Sequence, residues 1–357
     1  MKILVRANNW VGDAVMSIPA LRAIRSRWPE AEIVIVVRPS VADLYRGQRY
    51  VDRILIYENR DRHRGFWGRE RLVHTLRQER FDAAVLFQNA FEAAWIAWRA
   101  RIPERIGYAR YGRSGFLTRA IPVPAKDEAP NHETYYYLEL LRRAGWIERL
   151  PQIDEISISV GEEDRQNAQE RLLTAGVRQD APRIALASGA AYGSAKCWEP
   201  ERYAALADRL IAAFDADVIL VGTPQESGMA ARIATAMCHR AFNLVGTTKI
   251  GELPALLSTC RLFIGNDSGA MHVAGAVGVP VIGIFGPTDP QGTRAMTPQF
   301  SLIREPVDCS PCFLRTCPID HRCMTRISVE RVFEAARVLL ASGERLRNSS
   351  VWSEGLA

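Results

Sequence analysis

The sequence predicts an α/β protein with two doubly wound parallel-sheet domains facing a cleft. Three observations predict this. At 357 residues the chain is long enough for two domains, each with its own core. Short β-branched or apolar runs alternate with helical patterns, the order a parallel sheet with helices on both faces requires. The alternation weakens once, around Leu150–Ser159, and then starts afresh.

The elements follow in order. Lys2–Arg6 is the first strand, and Asp13–Trp28 carries apolar residues at helical spacing until Pro29 stops it. Glu32–Val37, Arg53–Tyr57 and Ala83–Phe87 are further strands, and Arg69–Glu79 and Phe91–Arg101 are helical. Gly161–Ala175 reads as a charged helix and Gly176–Pro182 as a turn. The second series holds strands at Arg183–Ala187, Asp217–Val221, Phe242–Val245, Leu262–Ile264 and Val281–Phe285. We therefore expect domains at 1–175 and 176–327, an amphipathic helix within 328–343, and a frayed tail at 344–357.

Composition narrows the function. Forty-six basic and 40 acidic residues give a net charge of +6, too mild a bias to imply nucleic acid. It suits an anionic substrate or a brief visit to an anionic membrane surface. No apolar run approaches the ~18–20 residues of a membrane span. Arg6, Asn8, Asn9 and Asp13 interrupt the amino-terminal apolar stretch, so no signal peptide is expected. The seven cysteines are then expected as reduced thiols in the cytoplasm. No G-x-G-x-x-G opens a helix and no G-x-x-x-x-G-K-[ST] occurs, which argues against a dehydrogenase and a P-loop NTPase.

In open parallel sheets, ligands sit beyond the carboxyl ends of the strands. The most informative stretch there is Phe263–Pro290, FIGNDSGAMHVAGAVGVPVIGIFGPTDP. A strand ends in a Gly/Asn/Asp/Ser turn, a helix of small residues follows, and a second buried strand comes next. Free amides and the helix dipole at such a turn make an anion site, although a well-capped βαβ turn has the same pattern.

NDSGAMH followed by FGPTDP resembles the nucleotide-sugar site of the ADP-heptose:lipopolysaccharide heptosyltransferases, inverting glycosyltransferases of GT-B fold. Three more segments, in the same order, resemble that family: Asn8–Arg25 its amino-terminal loop and helix, Ser188–Leu206 its donor-phosphate loop, and Cys309–Met324 a cassette of the members that add the second core heptose. The resemblance spans nearly the whole chain. It implies an ADP-heptose donor, a lipopolysaccharide inner-core acceptor at the inner face of the membrane, catalysis without a metal or other cofactor, and a carboxy-terminal helix packed back on the first domain. Alternatives are a member adding the first or a side-branch heptose, or a GT-B-like sugar-nucleotide epimerase.

Individual residues can now be weighed. Asp13 starts a helix after the loop Ala7–Gly12; its residue type fits either an N-cap or the base that takes the acceptor hydroxyl proton. The family's proposed base matches this position. Lys196 lies in the Gly/Ser/Ala loop after Arg183–Ala187, where an ammonium can neutralise a departing diphosphate, or simply be solvated. Ser188, Gly189 and Ser194 could add donors. The Ser268 and Gly269 amides would face the diphosphate with His272 on the same helix face, while Asp267 would order the loop or contact the donor sugar. Glu226, in GTPQES, could bind ribose hydroxyls, but the spacing departs from the family's. Arg60, Arg110 and Arg113 lie in two arginine-rich stretches of the first domain, suited to an anionic acceptor. Cys309, Cys312, Cys317 and Cys323 are of zinc-ligand type, but their spacing is not that of paired knuckles, and structural thiols are the preferred reading.

Overall fold

The computed structural model describes residues 1–351, with side chains described through residue 341. The chain divides into two compact units, Met1–Ile153 and Asp154–Ala357.

In the first unit six strands form one parallel sheet: β1 (Lys2–Arg6), β2 (Glu32–Val37), β3 (Arg53–Ile56), β4 (Ala83–Leu86), β5 (Glu104–Tyr108) and β6 (Arg119–Ile121), in the order β3-β2-β1-β4-β5-β6. β2 reads EIVIVV and is buried from its second residue onward, as expected for a strand covered on both faces. Leu4, Val34, Leu86 and Ala94 share a core with Leu72, Val73 and Leu76, residues of the helix Gly65–Glu79.

The expected helix Asp13–Trp28 is two helices, Val11–Met16 and Ile18–Arg27, broken at Ser17. Pro19 causes the break: it has no N–H to continue the ladder. Trp10 is the N-cap and Asp13 the third helical residue, so Asp13 does not cap this helix.

The second unit repeats the plan with β7 (Arg183–Ala187), β8 (Asp217–Leu220), β9 (Phe242–Asn243), β10 (Leu262–Asn266), β11 (Val281–Phe285) and β12 (Phe300–Arg304), in the order β12-β11-β10-β7-β8-β9. In both sheets the order reverses between the first and fourth strands, leaving a crevice at β1/β4 and at β7/β10. The strands β5, β6 and β12 are absent from the sequence-based expectation. Each carries charged or partly exposed positions, so none shows as a continuous apolar run.

One expectation is corrected. The boundary lies at Ile153/Asp154 and not at 175: the Ile156 and Ile158 amides donate to Met296 and Ala276 carbonyls of the second unit, at 3.0 and 2.7 Å. The helix Glu162–Thr174 belongs there too, joined to the helix Leu253–Ser258 and to Glu252 through Arg171. The carboxy-terminal helix, Val329–Val351, sets Val332, Ala336 and Leu340 into the second unit's own core. A four-residue spacing of apolar residues reveals a buried face without saying which core it enters. The expected fray from residue 344 is helical as far as Val351, and residues 352–357 lie outside the described residues.

Candidate active site

In the second unit the loops leaving β7 and β10 meet at the crevice. Asn266, fully buried at the end of β10, ties them. Its Nδ2 donates to the Ser188 carbonyl at 2.6 Å, and its Oδ1 accepts from the Trp198 amide at 3.2 Å and the Tyr203 hydroxyl at 3.1 Å. Beside it, Lys196 Nζ donates to Asp267 Oδ2 at 2.5 Å, and Thr288 Oγ1 donates to the same oxygen at 2.7 Å. Lys196 and Asp267 are 12% and 5% exposed, so little water screens the pair. Asp267 thus joins the loop after β10 to Lys196 and Thr288.

The helix Gly269–Ala276 starts at Ser268, its N-cap, whose Oγ is buried with no hydrogen-bond partner among the described residues, and His272 is buried one turn in. Its first amides and dipole favour an anion beside Lys196. Ser188 is buried at the end of β7, and Ser194 is exposed in the turn Ser194–Lys196. Glu226 makes a capping box with Thr223, accepting from its amide at 2.6 Å. Its other oxygen lies so close to Gly189 that a Cβ there would sit 2.0 Å away. The structure therefore brings Glu226 to the β7 loop, and one of its oxygens is spent on the cap.

The cysteine cassette braces this loop. The Tyr192 hydroxyl donates to the Phe313 carbonyl at 2.6 Å and the Ala195 amide to the Arg315 carbonyl at 3.0 Å; His321 Nε2 meets the Ala195 carbonyl at 2.7 Å. The Cys312 and Phe313 amides donate to the Pro287 carbonyl, fastening the cassette to the loop after β11 as well. All seven cysteines are free thiols, and burial pushes Cys323 up to about 11. Among the described residues no group of three or more His, Cys, Asp or Glu is placed to hold a metal ion, so Cys309, Cys312, Cys317 and Cys323 are not assembled as a ligand set.

In the first unit the crevice holds Asp13. The Tyr137 hydroxyl lies 3.2 Å from Asp13 Oδ1 and 3.4 Å from Glu133 Oε1. Glu133 and Tyr137 are one turn apart on the helix Glu133–Arg143 and share a face. Burial, then the nearby Asp13 charge, pushes Glu133 up to about 7, against the Tyr137 hydrogen bond and Arg110. A proton on Glu133 can be donated to the Tyr137 oxygen while Tyr137 donates to Asp13.

Arg110 is exposed, stacked 4.9 Å from the Tyr111 ring centre, and Arg60 is exposed on the loop after β3. Arg113 corrects the acceptor expectation. It is fully buried, donating to the Tyr108 and Gln88 carbonyls and, at 2.9 Å, to Asn89 Oδ1. It welds the loop after β5 to the loop after β4 and has no free edge for a ligand.

Sequence reasoning assigned no role to Asn266, Thr288, Glu133 or Tyr137. The first two stand inside NDSG and GPTDP, so their signal was present. Glu133 and Tyr137 are more than a hundred residues from Asp13, and nothing local links them.

The chain is similar to known proteins over most of its length. Lipopolysaccharide heptosyltransferase 2 of Salmonella typhimurium is 30% identical over 315 residues, covering 85% of this chain and 88% of that protein. The structure of Escherichia coli ADP-heptose lipopolysaccharide heptosyltransferase II matches with a TM-score of 0.81 at 28% identity, over 96% of this chain and 100% of that one. A family 9 glycosyltransferase of Veillonella parvula shares the fold, with a TM-score of 0.82 at 22% identity over 96% and 97% of the two chains. The expected α/β architecture of GT-B type is borne out. Residues 69–322 match the model described as glycosyltransferase family 9 (heptosyltransferase), and with that match over most of its length the chain belongs to this family of enzymes.

Proposed function

We propose that the protein is an inverting heptosyltransferase, moving heptose from ADP-heptose to the first heptose of the lipopolysaccharide inner core, the reaction of its heptosyltransferase 2 relatives. The observation that carries the reading is the Lys196–Asp267 pair at the β7/β10 crevice, beside the amino terminus of Gly269–Ala276. A single displacement with inversion needs two things: a base for the acceptor hydroxyl and stabilisation of the leaving diphosphate. Asp13 takes the proton as the acceptor oxygen attacks the anomeric carbon. Lys196, the Ser268 and Gly269 amides and His272 meet the charge that grows on ADP, and Ser188, Gly189, Ser194 and Glu226 line the nucleotide. Arg110 and Arg60 bind the acidic acceptor. No metal takes part, because a lysine and a helix amino terminus do the work of a cation. The enzyme works in the cytoplasm, peripherally on the inner face of the membrane.

The test is mass gain on defined truncated core acceptors incubated with ADP-heptose, with and without a strong chelator, for the wild type and Asp13→Asn. One heptose should be added to an acceptor ending in the first heptose, chelator or not. Asp13→Asn should add none while binding ADP normally. Transfer only to acceptors that lack a heptose would make this a different member of the family, and metal-reversible loss of transfer would overturn the metal-free step.

A further inference from the structure

The first unit carries a cluster of aromatic side chains of which Trp95 and Phe116 pack against its core and the rest are exposed. The helix Phe91–Arg99 turns Ala94, Ile96 and Ala97 inward and leaves Phe91, Trp95 and Trp98, at spacings of four and three residues, on its outer side. Phe91 and Trp98 are 47% and 44% exposed, and Phe116 joins them, its ring centre 5.2 Å from each. The neighbouring helix Gly65–Glu79 adds Phe66 and Trp67, 55% and 78% exposed. Phe66 touches both Trp67 and Trp95, and Trp95 lies one turn from Phe91 and from Trp98 on the same helix, so the two groups of three rings are neighbours. An apolar face of this size is uncommon on a protein that meets only water.

The unpaired charges around it are mostly basic. Glu70 and Glu92 are paired with Arg99 and Arg69, inside the helix pair. Arg62 and Arg64 precede Phe66, and Arg71 lies one turn beyond Trp67; all three are exposed and make no ion pair among the described residues, with Asp61 the acid between them. The loop that carries them is fixed. His63 Nδ1 accepts from the Glu58 amide at 3.0 Å, and Gly68 lies against the His63 backbone so closely that a Cβ would sit 2.4 Å from its carbonyl carbon. Phe66 and Phe91 open helices that follow β3 and β4, at the edge of the sheet from which Asp13 follows β1.

We infer that this aromatic face, rimmed by Arg62, Arg64 and Arg71, docks the enzyme on an anionic bilayer surface. Tryptophan and phenylalanine partition into the headgroup boundary, and arginines add attraction to anionic lipid; weak interfacial binding becomes stable when both signals act together. A protein partner would be expected to meet some fixed acids here; Glu70 and Glu92 are already paired, and Asp61 stands alone among the arginines. The inference rests on the proposed lipid-linked acceptor: docking on this face would bring the Asp13 edge of the first unit to where that acceptor is anchored.

The experiment is co-sedimentation of the full chain with vesicles of phosphatidylcholine alone and of phosphatidylcholine mixed with phosphatidylglycerol, at low and high salt. It is run for the wild type, Phe66→Ser/Trp67→Ser, and Arg64→Gln/Arg71→Gln. The wild type should bind the anionic vesicles, more weakly at high salt. Each double variant should bind about tenfold or more weakly and keep wild-type transfer to a soluble truncated acceptor. Tryptophan emission should shift to the blue on vesicle addition, less so without Trp67. Wild type that ignores anionic vesicles, or double variants that bind like it, would overturn the inference. So would a concentration-dependent dimer abolished by Phe66→Ser/Trp67→Ser, which would give the face to a second copy of the chain. Loss of transfer to the soluble acceptor by the wild type itself would count against the proposed reaction and leave the vesicle result to be read on its own.

Discussion

Glu133 is the residue whose environment has the clearest kinetic consequence. Its proton leaves near pH 7, inside the working range of an enzyme, and a second negative charge then faces Asp13 across Tyr137. That charge strengthens a carboxylate as a base. The rate of transfer should therefore rise through an inflection near pH 7, and Glu133→Gln should remove the inflection while keeping ADP affinity; an unchanged profile would give Glu133 a purely structural role. Stability follows the opposite course. A carboxyl held above its unfolded value binds more protons folded than unfolded, so stability falls as pH rises from the ordinary glutamate range to about 7 and is level beyond. Glu133→Gln should recover about 2–3 kcal/mol at pH 8 relative to pH 4, read from urea unfolding at the two pH values. The two arginines of the loop after β5 separate in the same way. Arg113→Ala strands buried carbonyls and should cost about 2–5 kcal/mol of stability. Arg110→Ala, at an exposed position, should leave stability intact and raise the acceptor KM. The reverse pattern would return Arg113 to the acceptor site.

The cassette after β12 shows how a mostly irregular segment holds a site. It reaches the phosphate loop through backbone carbonyls, and Gly193 is where the two chains come closest: a Cβ there would sit 2.2 Å from the Arg315 carbonyl oxygen. Only glycine fits against backbone at that distance. Gly193→Ala should push the loop away from the cassette and displace Lys196, three residues on. ADP binding should weaken about tenfold or more, as titration calorimetry would show, with the first unit's stability unchanged. Wild-type ADP affinity in this variant would mean that the cassette does not set the loop. The same packing gives the cassette a use for its small and bent residues that does not depend on its thiols.

The whole molecule is one plan used twice: two sheets of the same strand order, with a crevice at the same point in each. Under the proposed reaction the repeats have diverged in chemistry, one presenting a carboxylate through a tyrosine and the other a lysine and a helix amino terminus. Each unit has its own core, so binding to one need not order the other. ADP alone should slow hydrogen exchange in the loops Ser188–Lys196 and Gly265–Gly269 and leave Ala7–Asp13 exchanging at its free rate. Protection of Ala7–Asp13 with none at the other two loops would reverse the assignment of donor and base to the two units.

Alternation and local turn chemistry suffice for much of this. The buried strands announce themselves because a strand covered on both faces must be almost wholly apolar, and the phosphate turn because Asn, Asp, Ser and Gly are what a helix start beside an anion tolerates. Asp13, Lys196 and Ser268 were legible for that reason: each stands just after a recognisable strand. What the tertiary structure alone decided is who stands next to whom. The Glu133–Tyr137–Asp13 cluster, the burial of Arg113, the cassette's grip on Gly193, and the second core's capture of the Glu162–Thr174 helix and of the chain's last helix all join segments far apart in sequence. Spacing along a chain encodes which face of an element is apolar or charged. Which other element meets that face is fixed only when distant segments compete for the same contacts, and that competition is settled in the folded core.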